Sequence, residues 1–171
     1  GGADLGTMGT SWRDALDLRS QSLFTELAEL DSVTIAVVQG PAVAGGFELA
    51  LACDLRVAGP RATFSFPETA LGLIPSAGGL TRLERLVGPG RAAEVVLGGG
   101  VVDAPAALAW GLVARVVADP REEALHWAEA IARRDGRALA RAKRVLGAGA
   151  SAASLLLERV SEAGLYAARR R

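Results

Sequence analysis

Two glutamates stand where a carboxylate can do more than face water. Glu48 follows Val43-Ala44-Gly45-Gly46-Phe47, which reads as a strand entering a Gly-Gly turn and then a helix. Gly45 has no Cβ, so its backbone can approach a bound group closely. Its N–H stands at a helix N-terminus, where free donors and the helix dipole favour negative charge. Donors placed in that way form an oxyanion hole. Glu68 follows Phe64-Ser65-Phe66-Pro67, again at a strand exit. Taken singly, each glutamate also has a structural reading, as compensation for the positive end of a helix. On motif alone that reading is preferred. Taken together beside the glycine-rich stretch 72–79, the two can hold one water between a general base and a general acid.

Other reactive residue types point elsewhere. His126, the only histidine, lies in a charged amphipathic segment near Glu129 and reads as part of a solvated face. Ser76 has no G-x-S-x-G around it, and the lone histidine falls in an unrelated helix, so a serine nucleophile is not expected. Cys53, the only cysteine, sits in an apolar helix and reads as core. Gly98-Gly99-Gly100 reads as a helix stop, with no following Lys-Ser/Thr to make a phosphate-binding loop. Arg82, Arg85 and Arg91 read as a solvated basic face, although such residues can also meet phosphates, and Trp12, Trp110 and Trp127 read as packing residues.

The elements needed to position these groups follow from periodicity and turn residues. A helix is expected over 11–30, with Leu16, Leu23, Leu27 and Leu30 near helical spacing. A buried strand is expected over 33–38, a short helix over 46–53, and strands over 55–58 and 62–66 around Gly59-Pro60. A loop covers 71–79. Helices are expected near 80–87, 90–97 and 104–110, and a last strand over 112–118. Beyond Pro120 the chain is helical, with Ala124, Leu125, Ala128, Ile131 and Ala132 as one stripe and Glu129 and Arg133 opposite. Two more helices are expected near 137–147 and 151–168. No internal repeat is visible. Strands alternating with helices, followed by a helical tail, give an α/β class.

Composition narrows the function classes. The 171 residues suit one domain and are 50% hydrophobic and 22% charged, which excludes wholesale disorder. Nineteen basic residues balance nineteen acidic ones, so nucleic acid is not expected as the main partner. Lys143 is the only lysine. No apolar run reaches the roughly 18 residues of a membrane span, so no membrane partner is expected. One cysteine and one histidine leave no metal constellation and fit a reducing, cytoplasmic setting. Neither a starting Met nor a signal peptide is visible in the glycine-rich first ten residues, and the chain is expected to begin in the middle of a longer protein.

Four segments then fall in one order: Gly2-Ala3-Asp4-Leu5; Gly45-Gly46-Phe47-Glu48-Leu49-Ala50-Leu51-Ala52-Cys53-Asp54; Phe66-Pro67-Glu68; and Gly72-Leu73-Ile74-Pro75-Ser76-Ala77-Gly78-Gly79. This set resembles the crotonase (enoyl-CoA hydratase/isomerase) family, and Ala109-Trp110-Gly111-Leu112-Val113 is similar to a later family segment. The resemblance implies a crotonase-like ββα spiral core followed by a helical C-terminal region. Residues 1–118 would be a partial spiral core, without the family's N-terminal portion. Residues 119–171 would be the helical region of the same domain, serving trimerisation.

The resemblance also implies an acyl-CoA thioester as substrate and no cofactor or metal, CoA being part of the substrate. Ala3 and Gly45 would supply the oxyanion N–H groups, and Asp4, Leu5, Gly6 and Ser76 would join them against the substrate. Ser76 stands where many hydratases have glycine. Glu48 matches the residue that activates water, and Glu68 the one that exchanges the proton at the α-carbon. Burial and mutual repulsion would favour one shared proton between them. Retention of both glutamates implies an enoyl-CoA hydratase-like lyase of fatty acid metabolism. The alternatives are an isomerase or other enolate-forming member, and a non-catalytic assembly partner. A homo-oligomer, either a trimer or a dimer of trimers, is expected.

Overall fold

Tight corners, more than long strands, organise this chain. The computed structural model describes residues 19–148 and Val160. After helix α1 (Arg19–Glu29), strand β1 (Ile35–Val38) ends at Gln39-Gly40, and Pro41 starts β2 (Pro41–Val43). Helix α2 (Gly45–Ala52) follows. The same sequence of events then recurs. Strand β3 (Leu55–Ala58) turns at Gly59-Pro60 into β4 (Thr63–Ser65), and a single 3-10 turn (Glu68–Leu71) leads to helix α3 (Gly79–Val87). The Gly59 N–H donates to Val38 O at 2.8 Å, which joins the two corners.

The two ββα turns stack in register. β1 pairs in parallel with β3, Ile35 opposite Leu55, and β2 pairs in parallel with β4, Pro41 opposite Thr63. The first sheet continues into β6 (Arg115–Val116) and the second into β5 (Val102–Asp103), giving two three-stranded sheets. The structure therefore repeats a unit that the sequence does not repeat. Parallel pairing of this kind needs a helix to carry the chain back, and α2 does so in eight residues.

Between the sheets and helices lies a core in which Phe47, Phe64, Phe66, Leu83 and Val95 are at most 1% exposed. The Phe47 ring stacks on Phe66 with centroids 4.6 Å apart and meets Phe64 at 5.3 Å. Aromatic pairs of this geometry add about 0.5–1.5 kcal/mol beyond area burial.

Helices α4 (Pro89–Val96), α5 (Ala104–Ala109), α6 (Pro120–Ala132) and α7 (Gly136–Ala148) complete the described chain. None of the helices among the described residues is long and apolar enough to cross a membrane. Leu97 and Gly98 N–H both return to Ala93 O, so the glycine run does stop α4.

Several expectations are corrected. The strand expected over 112–118 is reduced to Arg115–Val116. Gly111, at φ 73°, ends α5: its N–H donates to Leu108 O, and Leu112 N–H donates to Ala107 O. This is a Schellman cap, and it draws Leu112 and Val113 into the core as part of the helix end. On α6, Leu125, Ala128 and Ala132 face outward, because Pro120, Ala124, Trp127 and Ile131 form the inner face. On α1, Leu23 is exposed, as is Leu30 just beyond its end, and Phe24 with Leu27 takes the inner position against Ala52 and Ala77. The remainder of the helix expected over 11–30, and the helix expected over 151–168 apart from Val160, lie outside the described residues.

Candidate active site

The site begins with a strained residue. Ala44 holds φ 52° and ψ −126°, the one positive φ outside glycine among the described residues. Its N–H donates to Ser65 O at 3.1 Å, which ties the start of α2 to the end of β4. Its carbonyl accepts from Phe47 N–H and Glu48 N–H at 2.8 and 3.0 Å. Gly45 and Gly46 then open the helix. Among the described residues no acceptor meets the Gly45 N–H, and the space where its Cβ would stand is open.

Glu48 points inward and is 5% exposed. Its Oε1 accepts from Ala77 N–H at 2.8 Å and from Gly79 N–H at 3.0 Å. A carboxyl oxygen receiving two backbone donors is held in one place. The close approach requires glycine at 79. A Cβ there would stand 2.7 Å from Glu48 Cγ and 2.8 Å from Phe66 Cζ.

The supporting loop is fixed on its other side. The Ala77 side chain packs on Phe24 and Ala52, and Ala77 O accepts from Arg82 Nη1 at 2.7 Å.

Glu68 is different. It opens the 3-10 turn, is half-buried, and its Oε2 is buried with no hydrogen-bond partner among the described residues. Burial pushes its pKa above the usual carboxylate range, and the charge of Glu48 pushes in the same direction. The two carboxylates therefore feel one another, and Glu68 is the one that tends to keep a proton.

The remaining expected residues are placed as follows. Gly45 is half-buried at the start of α2, and Ser76 is exposed one residue before Ala77. Ala3, Asp4, Leu5 and Gly6 lie outside the described residues. His126 is exposed on α6. Cys53 is half-buried at the end of α2 instead of inside the helix. Arg91 lies over Trp110 at 4.9 Å, and Arg85 Nη2 donates to the carbonyls of Leu146 and Gly147. A cavity of about 690 Å³, bordered by Leu51, Asp54, Arg82, Trp127 and Lys143, includes neither glutamate.

Two arginines serve the site without having been singled out for it. Arg82 holds the loop below Glu48 and does not simply face solvent. Arg56, 6% exposed, donates from Nε to Leu112 O and from Nη1 to Cys53 O, each at 2.7 Å. It thereby caps the C-terminal end of α2 with a buried positive charge, the favourable sign for that end of a helix. No local pattern distinguishes either arginine from the many others in the chain.

A family model described as enoyl-CoA hydratase/isomerase matches residues 1–168. The chain belongs to the enoyl-CoA hydratase/isomerase family. It is 40% identical over 129 residues to a protein of Arabidopsis thaliana named "Probable enoyl-CoA hydratase 2, mitochondrial", covering 74% of this chain and 43% of that protein. Over 93 residues it is 47% identical to the carnitinyl-CoA dehydratase of Citrobacter koseri, covering 54% of this chain and 36% of the relative. The chain thus spans less than half the length of these curated relatives. Among solved structures, Pseudomonas aeruginosa DspI superposes with a TM-score of 0.91 at 36% identity, over 98% of this chain and 72% of that one. The fold is the α/β crotonase fold of the enoyl-CoA hydratase/isomerase family, with its stacked ββα turns.

Proposed function

We propose that this chain carries the catalytic carboxylates of an enoyl-CoA hydratase-type lyase, which adds water across the double bond of a 2-enoyl-CoA thioester. One observation carries the reading. Two carboxylates of opposite character share one region: Glu48 is held by two backbone N–H groups, and Glu68 is biased toward its protonated form.

In this mechanism Glu48 accepts a proton from water as the water oxygen bonds to the β-carbon. The electron pair of the alkene moves toward the thioester, and negative charge gathers on the thioester oxygen. The N–H groups of Gly45 and Ala3 receive that charge. Each such donor is typically worth about 10²–10³ in rate. Glu68 then gives its proton to the α-carbon. One hydrogen of water remains on the new hydroxyl; the other, left on Glu48, must pass to Glu68 to replace the proton given to the α-carbon, which restores both groups for the next turnover. The addition is redox-neutral and calls for no cofactor or metal. Asp4, Leu5, Gly6 and Ser76 complete the substrate contacts, and the functional assembly is a trimer or a dimer of trimers.

The same groups run in reverse expel water from a 3-hydroxyacyl-CoA. The resemblance to a carnitinyl-CoA dehydratase favours testing that direction as well.

The test is the loss of conjugated enoyl-thioester absorbance with crotonyl-CoA, for the parent chain beside Glu48→Gln. Loss with the parent alone, yielding a hydroxyacyl-CoA, is the expected result. A folded parent that leaves the absorbance unchanged, or converts the substrate into a shifted alkene, overturns the hydratase reading.

A further inference from the structure

Glu48 is held by a loop, and that loop is in turn held from behind. We propose that Arg82 is a positioning residue for Glu48, acting through the Ala77–Gly79 backbone without touching the carboxylate. The proposal rests on the hydration reading for its kinetic consequence, but its structural content stands independently of it.

The arrangement has three layers. In front, Glu48 Oε1 accepts from the N–H groups of Ala77 and Gly79. In the middle runs the Ala77-Gly78-Gly79 backbone. Behind it, half-buried Arg82 donates from Nη1 to Ala77 O at 2.7 Å, and its own N–H donates to Gly78 O at 3.1 Å.

The two glycines divide the work. A Cβ at Gly79 would collide with Glu48, on the front. A Cβ at Gly78 would overlap the Arg82 guanidinium, on the back, and Gly78 also holds φ 90°, which other residues rarely adopt. The backbone is therefore bare on both sides, thin enough for a carboxylate and a guanidinium to grip it from opposite faces.

A loop gripped only by the carboxylate would be free to follow that carboxylate. Gripped also by Arg82, and anchored through the Ala77 side chain, it presents its two N–H groups at fixed positions. A charged hydrogen bond of this kind is worth more than a neutral one, which suits a clamp. Catalytic geometry is sensitive to such supports: a displacement of about 1 Å can lower a rate roughly 10²-fold.

The experiment compares the parent with Arg82→Met, which keeps the aliphatic stem and removes every donor, and with Arg82→Lys, which keeps one reaching cation. Amide hydrogen exchange is followed residue by residue alongside hydration kinetics. In Arg82→Met, exchange at Ala77 and Gly79 is expected to accelerate at least about tenfold while amides in the middle of α2 keep their rates. The same variant is expected to lose roughly 10²-fold in kcat with little change in KM, and Arg82→Lys to recover part of both losses. Should Arg82→Met fail to fold, Arg82→Lys is measured against the parent with the same two readouts.

Unchanged exchange at Ala77 and Gly79, or exchange that rises equally everywhere, overturns the positioning role. Local acceleration in Arg82→Met, when the parent itself hydrates nothing, supports the positioning of Glu48 and overturns the hydratase reading instead. The two failures are thus distinguishable.

Discussion

Glu48 and Glu68 are one residue type on two kinds of support. Glu48 stands in the first turn of an eight-residue helix, almost fully buried, with two backbone donors on one oxygen. Glu68 opens a single 3-10 turn, is half-buried, and keeps an oxygen with no partner among the described residues. Two backbone donors fix the position of the first carboxylate, whereas burial, with the charge of Glu48 adding to it, raises the pKa of the second.

The largest effects should come from removing either charge. Glu48→Gln and Glu68→Gln are each expected to lower hydration by about 10²–10⁴-fold, the usual range for a positioned acid or base, measured as kcat on folded protein. Their stabilities should move in opposite directions. The Glu68→Gln variant removes a carboxyl whose folded pKa is raised. Such a group contributes stability that is fully present below its unfolded pKa and is lost as pH rises through the folded pKa. The variant should therefore melt higher than the parent at neutral and alkaline pH, and the difference should vanish in acid. Glu48→Gln has no such gain, because it disturbs the two backbone hydrogen bonds that the buried carboxyl accepts. Melting curves across pH check both, and a Glu68→Gln variant that melts lower than the parent at neutral pH would break the comparison.

Next in size is Gly79→Ala. Its Cβ must push Glu48 or Phe66 aside, and overpacking of this sort costs about 1–3 kcal/mol, readable from urea denaturation. The parent's own pH profile comes after it. Hydration is expected to fall on the alkaline side, as pH rises through the elevated pKa of Glu68 and the acid is lost, and Glu68→Gln should abolish that limb. The smallest effect is expected for Ala44→Gly, which acts on the Glu48 side alone. Relief of the positive φ, about 1–3 kcal/mol, is offset by the entropy of the added glycine, about 0.4–1 kcal/mol. The midpoint of unfolding should rise slightly.

Much of this was legible in the residues. Gly45-Gly46 before Phe47-Glu48, and Pro67 before Glu68, mark the two site segments, and strand Leu55–Ala58 appears with the expected bounds. The α/β class and the glycine-run stop of α4 follow from the same local signals. What was not legible depends on distant partners. The two-residue strand Val102–Asp103 has no period to detect and exists because β4 supplies a ladder. Thr34 donates its N–H and its hydroxyl to Asp54 Oδ2 and accepts from Asp54 N–H, a link across twenty positions at the start of β1. The spatial repeat of the ββα turns rests on corner geometry rather than on recurring residues. Arg82 and Arg56 do their work on backbone carbonyls, which have no sequence signature at all.

The stacked rings of Phe47 and Phe66 join the segments that carry the two glutamates. Phe47 is the immediate neighbour of Glu48, and Phe66 stands two residues before Glu68. One contact in the hydrophobic interior therefore acts as the spacer of a caliper whose two jaws carry the carboxylates. A designer who repacks this interior for heat tolerance, exchanging a ring for an aliphatic chain, also shifts the supports of both carboxylates. Interior volume and the spacing of the two carboxylates cannot be adjusted separately here, and compensating changes at positions 47 and 66 should be selected as a pair.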